Sequence, residues 1–224
     1  MRKICDMLKR KDVGSIGIGA MIVFIAMVLV AGIAASVLIQ TSTRLESQAM
    51  KSGQETIAEV STGIAVFDVT GKKGTADLQY LAITVAPRAG SADIDLNETT
   101  ILISDGSIKS LLTYYGWSDA DLYNASVDAD GQLFGTGNWS NLTAEYFGII
   151  VLEDNDGSCA QTTPIINRGD KVVLTLNCSS GKLFNQEIPE RTAVFGRVIP
   201  EIGSPGMIEF TTPAAYNDDI FDVQ

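Results

Sequence analysis

The chain has no histidine and only three cysteines among its 224 residues. Histidine is the commonest general base in enzymes and a principal zinc ligand, so its absence excludes every His-based catalytic triad or dyad. Pairs of carboxylates are the catalytic option that remains open. The sequence offers no recognisable catalytic set for a membrane-anchored surface enzyme. We therefore predict a protein that is not an enzyme and has no catalytic, cofactor-binding or metal-ligating residues.

Positive charge is scarce outside the first 14 residues. The chain has 16 Lys and Arg against 27 Asp and Glu, a formal net charge of −11. Residues 1–14 hold five bases and two acids, a net of 5 − 2 = +3, so the remainder carries −11 − 3 = −14. An acidic body of this kind repels nucleic-acid phosphates, so we expect no DNA or RNA partner.

No charged residue occurs between Ser15 and Thr43. The most apolar part, Ala20 to Ile39, has 20 residues and would span about 30 Å as a helix, which is the thickness of a bilayer's hydrocarbon core. A secretion signal has a shorter apolar stretch of roughly 7–15 residues with a cleavage site behind it. The basic residues of segment 1–14, called the basic head below, predict that the N-terminus stays in the cytoplasm. The part of the chain that follows the apolar run, called the body, is then exported. This helix requires either lipid or a packed protein core.

Small residues interrupt the apolar run at spacings that favour close helix packing. Pairs four residues apart let two helix backbones approach each other. We predict helix–helix packing at Gly19, Ala31, Gly32, Ala35 and Ser36. A lone membrane anchor, in which glycine and alanine are also common, explains the composition equally well. The following stretch, "TRLESQAMKSGQETIAEVSTGIAVFDV", keeps a weak apolar stripe at helical spacing, which predicts one helix of about 45–50 residues.

Beyond residue 71 the pattern changes to short segments rich in β-branched and aromatic residues. They are "LQYLAITVAP", "TTILIS", "YFGIIVLED", "KVVLTLN", "TAVFGRVIP" and "MIEFTTP", and clusters of Gly, Asp, Asn and Pro separate them. Six or more such strands predict an antiparallel sandwich. The middle stretch "IKSLLTYYGWSDADLYNAS" is ambiguous between an inserted loop and a short helix.

The N-terminal block "GSIGIGAMIVFIAMVLVAGIAASVLIQTS" resembles the amino terminus of archaellins, the filament-forming flagellins of archaea. The pieces "TTILISDG", "IINRGDKVVLTL" and "FGRVIPEIGSPGMIEFTTP" resemble the same family, whereas residues 107–164 match no family pattern. The resemblance implies an α+β fold: a long N-terminal hydrophobic helix followed by an immunoglobulin-like antiparallel β-sandwich. It implies a cleaved prepeptide (1–14), a filament-core helix (15–70) and an outer domain (71–224).

The same resemblance implies how the apolar helix is processed and assembled. A prepilin-type peptidase cuts between Gly14 and Ser15, and the helix then leaves the membrane for the core of an archaeal flagellum. The expected partners are copies of the chain or paralogous archaellins, with no cofactor. An archaeal type IV adhesion pilin and a membrane-anchored surface-binding protein are the alternatives. Bacterial type IV pilins usually carry an early glutamate, whereas this run has no acid between Asp12 and Glu46.

Five Asn-X-Ser/Thr sequons lie in the body and none in the helix. In an exported protein each can carry a surface glycan, or can simply be an unmodified turn residue. We predict N-glycosylation among Asn97, Asn124, Asn138, Asn141 and Asn177. The family is often N-glycosylated, which the resemblance extends to this chain.

Two cysteines, Cys159 and Cys178, lie in the body, and Cys5 lies in the basic head. Two thiols without histidine are too few for a closed zinc site. In an exported chain they suggest a disulfide that closes a loop of about 20 residues and contributes about 3 kcal/mol. Two reduced, buried thiols are the alternative.

Three further patterns indicate ordinary structure more than function. The tripeptide Arg168-Gly169-Asp170 leads into a predicted strand and is expected to be a turn. The segments "DNDG" (154–157) and "DADG" (128–131) resemble pieces of calcium loops without the full ligand series, which leaves turns with at most a weak cation site. Three aromatic residues that could stack on a sugar are expected in the core or at a subunit contact instead: Tyr114, Tyr115 and Trp117.

Overall fold

The computed structural model describes residues 2–75, 77–116, 122–127, 132–135, 139, 142–179, 181–184 and 186–224, with side chains from Ile16 onward. The chain divides into two compact units, residues 1–55 and 56–224. The first unit is helical, and the second contains the β-structure. Each unit is described by itself.

One helix, α1, runs from Arg2 to Ser61. No proline occurs in this stretch, so every turn can form its backbone hydrogen bonds. Where the apolar run ends, the Thr41 and Thr43 hydroxyls donate to the Leu38 and Ile39 carbonyls, both at 2.9 Å. These bonds satisfy the hydroxyls within the helix, which continues into its polar half.

The prediction that residues 62–70 extend this helix is wrong. The helix ends at Ser61, and strand β1 occupies Ile64–Lys73. Thr62 and Gly63 separate the two elements, and "IAVFDV" is rich in residues that favour strands. The apolar residues assigned to a helical stripe here are instead strand residues, and Ile64 and Val69 are buried in the core.

The second unit contains twelve strands among its described residues. They are β1 (Ile64–Lys73), β2 (Leu78–Pro87), β3 (Ile94–Asp95), β4 (Thr100–Ser104), β5 (Lys109–Tyr114), β6 (Tyr123–Asn124), β7 (Tyr146–Glu153), β8 (Ile165–Ile166), β9 (Lys171–Asn177), β10 (Ala193–Ile199), β11 (Gly206–Thr211) and β12 (Ile220–Asp222). The six strands predicted from the sequence correspond to β2, β4, β7, β9, β10 and β11. The ambiguous middle stretch opens with β5 and ends with β6.

The sheet has two halves joined by a short parallel pairing. One half runs β11-β10-β4-β5 and the other runs β7-β9-β2-β1-β12. Within each half these neighbours are antiparallel. The halves meet where β5 pairs in parallel with β7 through Thr113 and Tyr114, and β3 pairs with β8 separately. The predicted α+β class with a mainly antiparallel β domain is confirmed.

One apolar core lies between the two halves. It includes Ile101 and Leu112 from one half and Leu81, Ile83 and Leu174 from the other, all fully buried. Alternate residues of each strand point into it, which is the burial expected of a sheet with one covered face. The domain is thus a two-layered structure in which both layers share one core.

A second, smaller apolar cluster covers the other face of β2, β7 and β9. Ala82, Ile150 and Val173 contribute from these strands, and Leu122 and Trp139 contribute from the segment between β5 and β7. The Trp139 ring lies 5.3 Å from that of Tyr80. The inserted segment therefore folds back onto the sheet, at least where it is described.

The link between α1 and β1 is held by backbone hydrogen bonds on both sides. Ser204 donates its N–H to the Thr62 carbonyl (2.9 Å) and accepts from the Ile64 N–H (3.2 Å). Arg88 donates its N–H to the Gly63 carbonyl at 2.9 Å. These contacts fix residues 62–64 against two loops of the β domain.

Replacing Gly203 with alanine should loosen this link. Gly203 has φ 104°, and a Cβ there would lie 2.2 Å from the Thr62 carbonyl oxygen. Gly90 is the matched control, because it has φ 87° and no atom within 4 Å of its Cβ position. In both variants alanine is held in a left-handed backbone conformation, which lowers the free energy of unfolding by about 1–3 kcal/mol. We expect Gly203→Ala to lose about 2 kcal/mol more than Gly90→Ala, a difference of about 4–8 °C in the melting temperature. Equal melting temperatures would show that the contact is unimportant.

Candidate functional site

The largest exposed apolar surface lies on α1. All fifteen large apolar side chains from Ile16 to Ile39 are between 53% and 72% exposed. By length and composition, the segment Ile16–Ser61 qualifies as a candidate membrane span, and none of its most apolar window is buried within the chain. Exposed apolar surface of this extent marks a site of contact with lipid or protein.

The predicted packing positions lie on this surface, but only one of them lines its depression. Ala31 lies in a shallow depression with five other residues, Val23, Ala26, Met27, Val30 and Ala34. Gly19 and Gly32 face open space, and Ala35 and Ser36 do not line the depression. Ala26 and Ala34, two further small residues of the apolar run, also line the depression. Gly14 and Ser15 belong to α1, but the described side chains begin after them.

Three carboxylates converge beside the start of β9. Oxygen atoms of Asp154, Asp156 and Asp170 lie within 4.8 Å of one another. Asn167 donates from its side-chain amide to Asp156 (2.6 Å) and from its backbone N–H to Asp170 Oδ2 (2.8 Å). The hydrogen bonds from Asn167 and Ser158 hold the pKa of the Asp156 carboxyl below its usual value. The two hydrogen bonds from Asn167 therefore tie Asp156 to Asp170.

One oxygen of this group has no partner within the described structure. Asp170 is 1% exposed, and its Oδ1 atom is buried without a hydrogen bond. Leaving a buried carboxylate oxygen unpaired beside two further carboxylates is costly. Calcium takes carboxylate oxygens at about 2.3–2.6 Å, so ligands on opposite sides of the ion are about 5 Å apart. The geometry of the three aspartates fits a divalent cation. The sequence predicted no metal ligands, and at 154–157 it indicated a turn with at most a weak cation site.

Calcium should stabilise the folded chain through these aspartates. At a calcium concentration about 100-fold above the dissociation constant, the gain would be about 2.7 kcal/mol, a rise of about 5–11 °C in melting temperature. Asp170→Asn should remove most of that rise, because it neutralises the buried ligand. Asp93→Asn, at an exposed position, controls for the loss of one charge. Scanning calorimetry of the full chain in detergent, with calcium and with chelator, tests this. An unchanged calcium response in Asp170→Asn would exclude the site.

The predicted disulfide between Cys159 and Cys178 is wrong, because both thiols are free and buried. Cys159 lies near the start of β9, where its N–H donates to Asp154 Oδ2 at 3.1 Å. Cys178 follows the other end of β9. The seven residues of this strand separate the two ends by about 20 Å, whereas a disulfide needs Cα atoms about 4.4–6.8 Å apart.

Neither thiol is available as a thiolate. Burial raises the pKa of Cys159 to about 12, and the Asp154 and Asp170 carboxylates add to the rise. Burial also raises the pKa of Cys178. Both side chains therefore act as small apolar core residues rather than as nucleophiles or metal ligands.

The sequons differ in accessibility. Asn97 and Asn124 are half-buried; Asn97 lies in the bend between β3 and β4, and Asn124 ends β6. The Asn97 amide donates a hydrogen bond to Glu98 at 3.4 Å. Asn138 and Asn141 lie outside the described residues.

The prediction of a glycan on Asn177 is wrong for the folded protein, since this side chain is 2% exposed. Its amide donates to the Trp139 carbonyl at 2.8 Å, and its oxygen accepts from the Ser179 N–H at 2.9 Å. Asn177 therefore joins the inserted segment to β9.

Asn177→Ala should destabilise the fold. The substitution leaves the Trp139 carbonyl unpaired in a buried site, a cost of about 1–3 kcal/mol. Asn124→Ala is the control, since no hydrogen bond of its side chain is seen among the described residues, and it should cost less. Denaturant unfolding followed by tryptophan fluorescence measures both. A larger loss in Asn124→Ala would contradict the assigned role of Asn177.

The remaining sequence patterns form structural contacts. Arg168 and Gly169 form the turn that was predicted, and the buried Asp170 side chain is not presented to a partner. Tyr114 lies in the core, and Tyr115 stacks on Tyr146 with ring centroids 4.9 Å apart. Trp117 and the segment 128–131 lie outside the described residues.

The comparison with known proteins identifies the family. The model of the archaeal-type flagellin family matches residues 14–210. The chain belongs to the archaeal-type flagellin family. Flagellin B2 of Methanocaldococcus jannaschii is 49% identical over 214 residues, covering 96% of this chain and 95% of its own length. Flagellin B3 of Thermococcus kodakarensis is 37% identical over 254 residues, covering 96% and 98%.

Solved structures of archaeal flagellins share the fold. The crystal structure of archaeal flagellin FlaB1 from Methanocaldococcus jannaschii matches with a TM-score of 0.63 at 31% identity, over 73% of this chain and 97% of that one. The archaeal flagellum of Methanospirillum hungatei strain JF1 matches with a TM-score of 0.61 at 16% identity, over 92% and 98%. This archaellin is thus a structural subunit of an archaeal flagellum, which resolves the alternatives left open by the sequence.

Proposed function

We propose that the chain is made as a membrane-inserted precursor, is cut between Gly14 and Ser15 by a prepilin-type peptidase, and then polymerises through α1. In the filament, α1 forms the core and the β domain forms a glycosylated exterior. The observation that carries this proposal is the apolar surface of α1 from Ile16 to Ile39, which nothing in the described chain covers. Lipid covers it before assembly, and the helices of neighbouring subunits cover it afterwards.

Charge supports cleavage at this position. Residues 1–14 carry five bases and two acids, and such a head is stable on the cytoplasmic side of a membrane. In a packed helical core the same charges would be buried without partners, at a cost of several kcal/mol each. Removing the head leaves Ser15 at the N-terminus, directly before the first large apolar residue, Ile16.

Accessibility supports glycans on a subset of the sequons. Asn97 and Asn124 are the candidates among the described residues, because both lie at the surface of the β domain. Asn138 and Asn141 stay predictions from the sequence. A glycan at these positions would extend from the exterior of a filament without disturbing the helical core.

Substituting arginine for Val28 should abolish filaments, because the charge would be buried without a partner among the packed helices. Val28 is 53% exposed on the isolated helix, so the subunit itself should still fold. Gln54→Arg, in the polar half of α1, is the control and should assemble. Electron microscopy of sheared filaments from cells that express each variant gives the result.

N-terminal sequencing of the wild-type filament should begin at Ser15. Normal filaments from Val28→Arg, or a mature protein that keeps residues 1–14, would contradict the proposal.

A further inference from the structure

The β domain has an apolar face that its own core does not explain. It lies on the outer side of the β11-β10-β4-β5 half-sheet. We call it the β10 face and define it by Leu102, Lys109, Leu111, Phe195, Arg197 and Met207. Three of its apolar side chains are more than half exposed: Phe195 (51%), Leu111 (56%) and Met207 (64%).

Strand register brings these residues together. Arg197 pairs with Met207 on one side and with Leu102 on the other, and Leu102 pairs with Leu111. Phe195 and Lys109 lie in the adjacent row, since both pair with Ser104. Neighbouring strands are about 4.8 Å apart, so the four-strand row spans about 14 Å. A shallow groove of about 480 Å³ lies on this face, lined by residues that include Leu102, Phe195 and Met207.

The β10 face also carries two cations that form no ion pair with a described residue. Lys109 and Arg197 are exposed, and neither forms an ion pair with a described residue; the ion pairs found there are Lys51–Glu55 and Lys171–Glu153. Glu209 is the acid on the same side of β11, which leaves the face with a net charge of 2 − 1 = +1. Residues 56–224 as a whole have 9 Lys and Arg against 23 Asp and Glu, a net of 9 − 23 = −14.

We propose that the β10 face is a contact surface for the acidic β domain of a second copy of this chain in the filament. Charge complementarity favours this occupant, because a neighbouring copy presents an outer domain of net charge −14 to the two unpaired cations. The apolar side chains between the cations lose their water in the same contact. The contact is heterologous, joining a cationic apolar face to an acidic surface elsewhere on the next copy. Contacts of this kind can repeat along an open helical filament.

A small contact is sufficient in this setting. Subunits already joined through α1 hold their outer domains at a high effective concentration, so that a weak second contact is populated. A free subunit lacks this advantage, because a stable complex between separate molecules usually buries roughly 800 Å² per partner. This contact rests on the filament role proposed above. It identifies the β10 face as the side of the outer domain that is turned towards a neighbouring subunit.

Oxidation of Met207 tests the contact on the wild-type protein. Purified filaments and detergent-disassembled subunits are treated with hydrogen peroxide, and methionine sulfoxide at Met207 is quantified by mass spectrometry over time. We expect oxidation to be several-fold slower in filaments than in disassembled subunits. Equal rates, or protection that persists after disassembly, would overturn the proposal, because the face would then be open or covered by the subunit's own glycan.

A charge reversal supplies the second measurement. Arg197→Glu and its matched control Arg168→Glu each change the net charge by −2 at an exposed position, so general repulsion between acidic subunits is the same in both. We expect Arg197→Glu filaments to disassemble at a lower temperature than Arg168→Glu filaments, with a difference that shrinks at high salt. Identical disassembly temperatures would overturn the proposal. A wild-type chain that forms no filaments would instead contradict the filament role itself.

Discussion

The apolar surface of α1 must be buried, and the surroundings that this protein requires follow from that constraint. Fifteen large apolar side chains between Ile16 and Ile39 are exposed on the isolated helix, and burying them is worth about 20–45 kcal/mol gross. Water is therefore an unfavourable surrounding for the isolated helix, and the proposed function covers it first with lipid and then with neighbouring subunits. The β domain, by contrast, buries its apolar residues in a core of its own.

The helix and the β domain are stabilised in different ways. The backbone hydrogen bonds of α1 form within the helix, whereas its apolar side chains can be buried only against other molecules. The β domain buries most of its apolar residues in its own core. Residues 62–64, fixed by Ser204 and Arg88, are where the two kinds of structure join. The acidic surface of the β domain keeps the exterior hydrated.

Much of the architecture could be predicted because periodicity and composition are local properties. The uncharged run from Ser15 to Thr43 predicts the helix, and six alternating segments predict six of the strands. The end of α1 was misplaced because Ile64 fits both a helical stripe and an alternating strand, and only burial in the β core decides between them. The aspartate group could not be predicted, since Asp170 is fourteen residues beyond Asp156 and reaches it only through the turn after β8.

The errors at Asn177 and at the cysteines share another cause. A sequon and a pair of thiols are defined by residue type, whereas their chemistry depends on exposure and on separation in space. Asn177 is buried against Trp139, and the cysteines occupy opposite ends of β9. The predicted helix-packing positions stay predictions. Of these positions only Ala31 lines the depression on α1, which large as well as small side chains form.

The free, buried thiols also define the surroundings in which the outer domain can work. No covalent cross-link contributes to its fold, and both sulfur atoms are shielded and protonated. The stability of the domain is therefore independent of the reduction potential of the medium. Thiol–disulfide exchange with the surrounding medium therefore has no cross-link to break in this domain.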